Sequence, residues 1–217
     1  MKIDILTLFP NMFYEFLNDS IMKRAQEKGS IEINVHNIRD YSPFKNKQVD
    51  DYPYGGGAGM VLMCEPIFRA IETLRTEDSE VIMLTPSGEL FQQKLAKELS
   101  LKKHLILLCG HYEGFDERIK TIVDRTLSIG EFVLTGGEVP AMAVVDAVTR
   151  LIPGVINQES LESETFTDDM VDYPVYTKPA VFRDLEVPSV LLSGHHANIN
   201  KWREDMRKEL TEARKGE

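Results

Sequence analysis

Two runs decide the fold: Leu105–Ile119, LILLCGHYEGFDERI, and Leu127–Ala141, LSIGEFVLTGGEVPA. Each begins as an apolar stretch and breaks at glycine, at Gly110 and Gly114 in the first and at Gly136 and Gly137 in the second. Each then leads into a helical pattern, with Pro140 just inside the second helix. Strand, glycine turn, helix, twice over, is the layout of a ligand site at the carboxyl ends of parallel strands. Glycine permits turns and close backbone approaches that side chains forbid. Each turn by itself also fits an ordinary βα connection.

The rest of the chain extends the pattern. Ile3 to Phe9 reads as a strand, and Pro10 opens a helix that carries Met12, Phe13, Phe16, Leu17 and Ile21 and ends at Gly29. Ile31, Ile33 and Val35 alternate as a strand. From Arg39 to Met60 the periodicity stops, and VDDYPYGGGAGM reads as a loop that is neither a P-loop nor a dinucleotide fingerprint. A helix is expected from about Glu65 to Leu74, a strand over Val81–Thr85 ending at Pro86-Ser87-Gly88, a helix over Glu89–Leu99, and a last one from Glu138 to about Leu151. This alternation predicts an α/β domain with a largely parallel sheet over residues 1–154. Residues 155–172 read as a flexible acidic linker. Residues 173–217 read as a small, mainly helical module with Ile199, Trp202, Met206 and Leu210 on one helix face.

Composition narrows the function classes. Hydrophobic residues make up 42% of the 217, enough for a core. No apolar run approaches the ~20 residues of a membrane span, and the first residues lack a cleavable signal pattern. The two cysteines, Cys64 and Cys109, sit in apolar settings, which fits a reducing cytoplasm. No metal-binding motif is present. A net charge of -10 argues against a simple nucleic-acid-binding domain, and the stretch from Ile156 to Asp172 holds six acids and no base. Contacts to phosphates would come from groups such as Lys23, Arg24, Lys28, Arg39, Lys45 and Lys47, or Lys178, Arg183, Lys201, Arg203, Arg207 and Lys208.

Three strand-end loops, Thr85–Gly88, Gly110–Gly114 and Ser128–Gly137, are placed to converge on one ligand. Thr85, Pro86, Gly88, Gly114 and Ser128 belong to this set by position. None of the loops carries a phosphate fingerprint, so a nucleoside without phosphates fits better than ATP or NAD. Ile129, Phe132, Val133 and Leu134 offer an apolar slot and the glycine backbones offer hydrogen bonds. That combination points towards S-adenosylmethionine.

At this point a resemblance enters. DILTLFP, VDDYPYGGGAGM, CGHYEGFDERI, SIGEFVLTGGEVPAM, RLIPGV, YPVYTKP and VPSVLLSGHHANINKWR cover nearly the whole chain in order. Together they resemble the bacterial tRNA (guanine-N1)-methyltransferases, the TrmD family of the SPOUT superfamily. The resemblance implies methyl transfer from S-adenosylmethionine to N1 of the guanosine 3′ of the tRNA anticodon. It implies a deep trefoil knot and a cytoplasmic homodimer whose sites are shared between subunits, with Mg2+ as an accessory ion. The cofactor residues it implies are Pro86, Gly110, Tyr112, Glu113, Ile129, Gly130, Glu131, Phe132, Val133, Leu134, Gly136, Gly137 and Pro140. For catalysis it implies Arg150, to stabilise charge on guanine O6, and a linker carboxylate to take the N1 proton. The family pattern has an aspartate before Ser-Phe. Here Glu164-Thr165-Phe166 stands there with one residue fewer after Glu159, so Glu164 is expected as the base, its extra ~1.3 Å offsetting the deletion. Asp168 and Asp169 are its rivals. The family usually carries further helices beyond the one bearing Trp202, so a weaker hold on tRNA is expected here. A SPOUT enzyme acting on ribosomal RNA, or a non-catalytic RNA-binding relative, remains as the alternative.

Overall fold

A computed structural model describes residues 1–157, 165–166 and 170–215, which divide into two units, Met1–Ile156 and Asn157–Glu217. The first unit is built on five parallel strands: β1 (Lys2–Thr7), β2 (Glu32–Asn37), β5 (Ser79–Leu90), β6 (His104–Cys109) and β7 (Arg125–Ser128). Their order across the sheet is β2-β1-β6-β5-β7. A two-stranded ladder of β3 (Asp50–Asp51) and β4 (Val61–Leu62) stands apart from it.

The inner strands β1, β5 and β6 carry apolar runs because both faces of the sheet are covered there, whereas the edge strands β2 and β7 are mostly half-buried. Successive side chains point to opposite faces, so one run feeds two cores. Ile3, Ile5, Ile82, Leu84, Leu105 and Leu107 face one core, and Leu6, Val81, Met83, Ile106 and Leu108 face the other. The first core is closed by α2 (Ser20–Glu27), α4 (Gln93–Ser100) and α5 (Glu138–Thr149), the last burying Ala141, Val144, Val145 and Val148 at helical spacing. The second is closed by α3 (Cys64–Leu74) through Ile67, Ala70 and Ile71, and by the short turn Glu117–Thr121 through Ile119.

Several boundaries differ from expectation. The helix opened by Pro10 is three pieces: a 3-10 turn at Pro10–Phe13, α1 (Tyr14–Asn18) and α2. Asp19 breaks it in an extended conformation and its carboxylate caps the Ser20 amide at 2.6 Å. Strand β5 does not stop at Thr85 but runs through Pro86 to Leu90, and α4 starts at Gln93 rather than Glu89. The reason is a second segment of pairing. Leu127 pairs with Leu84 and again with Glu89 across a register shift, and Pro86, which has no amide hydrogen to donate, falls inside the irregularity. After Gly114 only the single turn Glu117–Thr121 forms, where a helix was expected. The apolar run after Ser128 is not strand either, and Phe132 and Val133 are exposed.

The second unit holds a hairpin of β8 (Val181–Phe182) and β9 (Leu185–Glu186), then α6 (Ser189–Leu192) and α7 (His196–Lys215). Arg203 lies over the Tyr173 ring at 4.9 Å, and the Trp202 and Tyr176 rings are 6.4 Å apart. Leu210, expected on the inward face of α7, is exposed. Thr211 is buried instead, its hydroxyl accepting from the Val171 amide and donating to the Arg207 carbonyl.

Candidate cofactor cleft

Three strand ends build one cleft. At the first, β5 brings up Leu84, Thr85 and Pro86. Gly88, in the same stretch, lies outside the lining. An added Cβ there would sit 2.5–2.7 Å from the Leu127 backbone, so its glycine serves the close strand approach.

The second loop leaves β6 at Cys109 and turns through Tyr112 (φ +60) and Gly114 (φ +115). It is laced to the glycine-rich segment. The Glu113 amide donates to the Met60 carbonyl at 3.0 Å, the Leu62 amide to the Gly114 carbonyl at 2.9 Å, and the Asp116 amide to the Leu62 carbonyl at 3.0 Å. Glu113 packs over Gly59, where a Cβ would come within 2.6 Å of its Cγ.

The third loop, residues 129–137, folds back against the second. Ser128 donates to the Gly130 carbonyl at 2.9 Å, His111 bridges Gly136, and the Gly137 amide donates to the Gly110 carbonyl at 2.8 Å. Gly137 has ordinary helical angles, φ -83, so freedom of rotation is not why glycine is required. Space is: a Cβ there would lie 2.6 Å from the Gly110 nitrogen and 2.7 Å from the Cys109 Cα.

The cavity enclosed measures about 270 Å³. Of the residues expected to hold a cofactor, Thr85, Pro86, Gly110, Tyr112, Glu113, Gly114, Ser128, Ile129, Gly130, Phe132, Val133, Leu134, Gly136, Gly137 and Pro140 line it, whereas Gly88 and Glu131 do not. Leu84, His111, Phe115, Leu127 and Thr135 also line it and were not anticipated. Each lies inside one of the three loops or next to one, so adjacency to the glycines was the available signal. Among the described residues no lysine or arginine lines the cleft, and Glu113 supplies its one carboxylate.

Below the cleft sits a buried polar pair. The Thr7 hydroxyl donates to Glu138 at 2.7 Å and accepts from the Phe9 amide at 2.9 Å. The His111 ring is flanked by Phe9 and Tyr112, with centroids 4.8 and 4.9 Å away. Burial, with Glu138 nearby, pushes the Cys109 thiol well above its ordinary pKa. Burial and the hydrogen bond to Asp116 push the Cys64 thiol up to about 11. Both cysteines are therefore thiols at neutral pH, and thiolate nucleophilic chemistry has no support.

Of the expected catalytic groups, Arg150 is the one among the described residues. Arg150 is the C-cap of α5, its amide donating to the Asp146 carbonyl at 3.1 Å, and it does not line the cleft. Ten residues of helix separate it from Pro140, or ~15 Å of axial rise. Glu164, Asp168 and Asp169 lie outside the described residues. Among the described residues no group of three or more His, Cys, Asp or Glu side chains is arranged to hold a metal ion. No helix among them is long and apolar enough to cross a membrane.

The chain is 59% identical over 205 residues to the tRNA (guanine-N(1)-)-methyltransferase of Carboxydothermus hydrogenoformans, a match spanning 94% of this chain and 81% of that protein. The enzyme of the same name from Dictyoglomus turgidum is 56% identical over 204 residues, 94% of this chain and 83% of the relative. The one from Chloroflexus aggregans is 54% identical over 219 residues, 99% and 86%. The family model described as tRNA (Guanine-1)-methyltransferase TrmD matches residues 1–217 from end to end, and the chain belongs to that family of tRNA-methylating enzymes.

Proposed function

We propose that this protein transfers a methyl group from S-adenosylmethionine to N1 of the guanosine 3′ of a tRNA anticodon. The observation that carries the reading is the cleft. It offers an apolar slot, glycine backbone at two adjoining loops and a carboxylate, with no cation among the described lining residues to pair a phosphate. That set suits an adenosine bearing a positively charged sulfonium tail. Pro86, Ile129, Leu134 and Pro140 would hold the adenine, the backbones of residues 110–112 and 136–137 the ribose, and Glu113 the cationic end. When bound, the cofactor supplies an electrophilic methyl carbon.

Guanine N1 carries a proton, so the enzyme needs a carboxylate to remove it and a cation to stabilise charge building on O6. Glu164 is assigned as the base and Arg150 as the cation. The ~15 Å between Arg150 and Pro140 along α5 is too far for one arginine to serve its own subunit's cleft along that axis. We therefore infer a homodimer in which Arg150 completes the partner's cleft. The passage of Gly137 against Cys109 and Gly110 supports a knotted course for the two loops. A cytoplasmic setting follows from the substrate, and Mg2+ would act with the RNA or at the linker acids. Residues 1–154 hold the cofactor, and residues 173–217 contribute to the grip on tRNA.

The experiment uses labelled S-adenosylmethionine and tRNA transcripts that carry guanosine or adenosine after the anticodon, beside a ribosomal RNA fragment. Label is expected on the guanosine transcript and, after digestion, on 1-methylguanosine. Label on the ribosomal fragment instead defeats the tRNA assignment, and no transfer with intact cofactor binding defeats the catalytic one.

A further inference from the structure

The segment between β3 and β4 has no part in enclosing the cofactor cleft, yet its composition is the oddest in the chain. Its two tyrosines stand in solvent, Tyr52 at 77% relative exposure and Tyr54 at 102%. Tyrosine usually buries its ring and leaves only the hydroxyl wet. Two rings displayed two residues apart, around Pro53, are a surface awaiting a partner.

The base of this loop is held by the ladder, and its tip is closed by a turn in which the Gly56 amide donates to the Pro53 carbonyl at 3.3 Å. Asp50 pairs with Leu62 and Asp51 with Val61, and the Met63 amide donates to the Val49 carbonyl at 2.8 Å. The Asp51 carboxylate accepts from the Tyr52 amide at 2.8 Å, and Pro53 fixes the next φ. Beyond Tyr54 come Gly55, Gly56, Gly57 and Gly59, all at positive φ, conformations that let the tip re-shape at little steric cost. The far end returns to the cleft, where Met60 accepts from Glu113 and Gly59 lies under the Glu113 side chain. The tyrosines therefore stand on a pliant loop anchored at the Glu113 edge of the cleft mouth. Exposed Phe44 and Lys45 precede the ladder and add one more ring and a cation, whereas neighbouring Lys47 is ion-paired with Asp40.

We propose that Tyr52 and Tyr54 form a stacking platform for the unpaired bases flanking the target guanosine. Enzymes that act on a base commonly draw it out of the stack into a pocket, and its neighbours then lose a stacking partner. Exposed aromatic rings replace that partner for any base, because every base has a π-face. Lys45 on the approach suits a backbone phosphate. The proposal rests on the tRNA reading above and adds residues that recognise RNA without touching the cofactor.

The test uses an anticodon stem-loop RNA with 2-aminopurine on either side of the target guanosine. With the unaltered protein, binding should quench the probe through stacking. Tyr54→Ala should lose that quench and weaken RNA binding ~10–100-fold, with Tyr52→Ala in the same direction. Cofactor affinity by calorimetry and kcat at saturating RNA should not change, and KM for RNA should rise. Tyr54→Phe and Tyr54→Trp should restore the quench, whereas Tyr54→Leu should not, which separates stacking from loop folding. Unchanged RNA affinity and quench in Tyr54→Ala overturn the proposal. So does a Tyr54→Ala defect that appears only as altered self-association without RNA. If the unaltered protein neither binds nor methylates the stem-loop, the tRNA reading falls and takes the platform with it.

Discussion

The Thr7 hydroxyl and the Glu138 carboxylate meet at 2.7 Å across 131 residues of chain, both almost fully withdrawn from solvent. The bond ties the last residue of β1 to the first turn of α5, beside Gly137 and directly behind the cleft. The helix N-terminus favours the carboxylate there, and the hydroxyl satisfies one oxygen.

Thr7→Val keeps the shape and removes the donor. It should lower stability by ~1–3 kcal/mol, the cost of leaving a buried acceptor short of a partner. Thr7→Ser should recover most of that. Urea denaturation of the three proteins checks the order.

Gly137→Ala should be severe although its backbone angles suit alanine. The Cβ has to displace the Cys109–Gly110 backbone, so a loss of ~1–3 kcal/mol is expected together with loss of cofactor binding. Gly114→Ala makes the contrast. Its Cβ meets nothing within 4 Å, so the strain of φ +115 is its main cost. Calorimetry with S-adenosylmethionine and thermal denaturation separate the two variants.

How far the sequence could be read depended on what held each element. β1 and β6 were legible because a run such as Leu105–Cys109 is buried on both faces, and nothing but a covered strand needs that. The extension of β5 through Pro86 was not, because it depends on Leu127 pairing twice, a relation between segments about 40 residues apart. Residues 129–134 look like core by composition, but Val133 is 83% exposed because it lines the open cleft rather than the interior. The same logic hid His111: its neighbours Gly110 and Tyr112 were singled out for what they do to the backbone, whereas a histidine announces no backbone requirement.

Glu164→Gln should cut single-turnover methyl transfer by ~10²–10⁴ with cofactor binding intact, as expected on losing a general base. Glu164→Asp should also be impaired because its reach is shorter. Normal turnover in Glu164→Gln alongside a defect in Asp168→Asn or Asp169→Asn would assign the base to those residues instead.

Subunit mixing tests the shared site. Leu134→Arg should block the cleft and Arg150→Ala should remove the cation, each leaving an inactive homodimer. Refolded together, they should regain activity, because the heterodimer contains one open cleft facing one intact Arg150. No recovery in a mixture verified to contain heterodimer would place Arg150 in its own subunit's site.

Acid stability should depend on Asp4. Burial would raise its carboxyl pKa, but hydrogen bonds from His36, Lys2 and His104 outweigh burial and hold it well below the usual range. A carboxyl depressed in the folded state stabilises above its unfolded value, ~3.9, and loses that contribution as pH falls below it. Asp4→Asn should therefore cost on the order of 3 kcal/mol at pH 7 and progressively less below pH ~4. Denaturation midpoints across that range give the comparison.

The hydrogen bond from the Gly137 amide to the Gly110 carbonyl has a consequence for motion. It joins the two loops through main chain, so opening either one alone breaks it. The cleft should open and shut as a single cooperative unit rather than as a lid over a fixed floor. Amide exchange at residues on both loops would then slow together when the cofactor binds, and residues 110–116 would never be protected without 129–137.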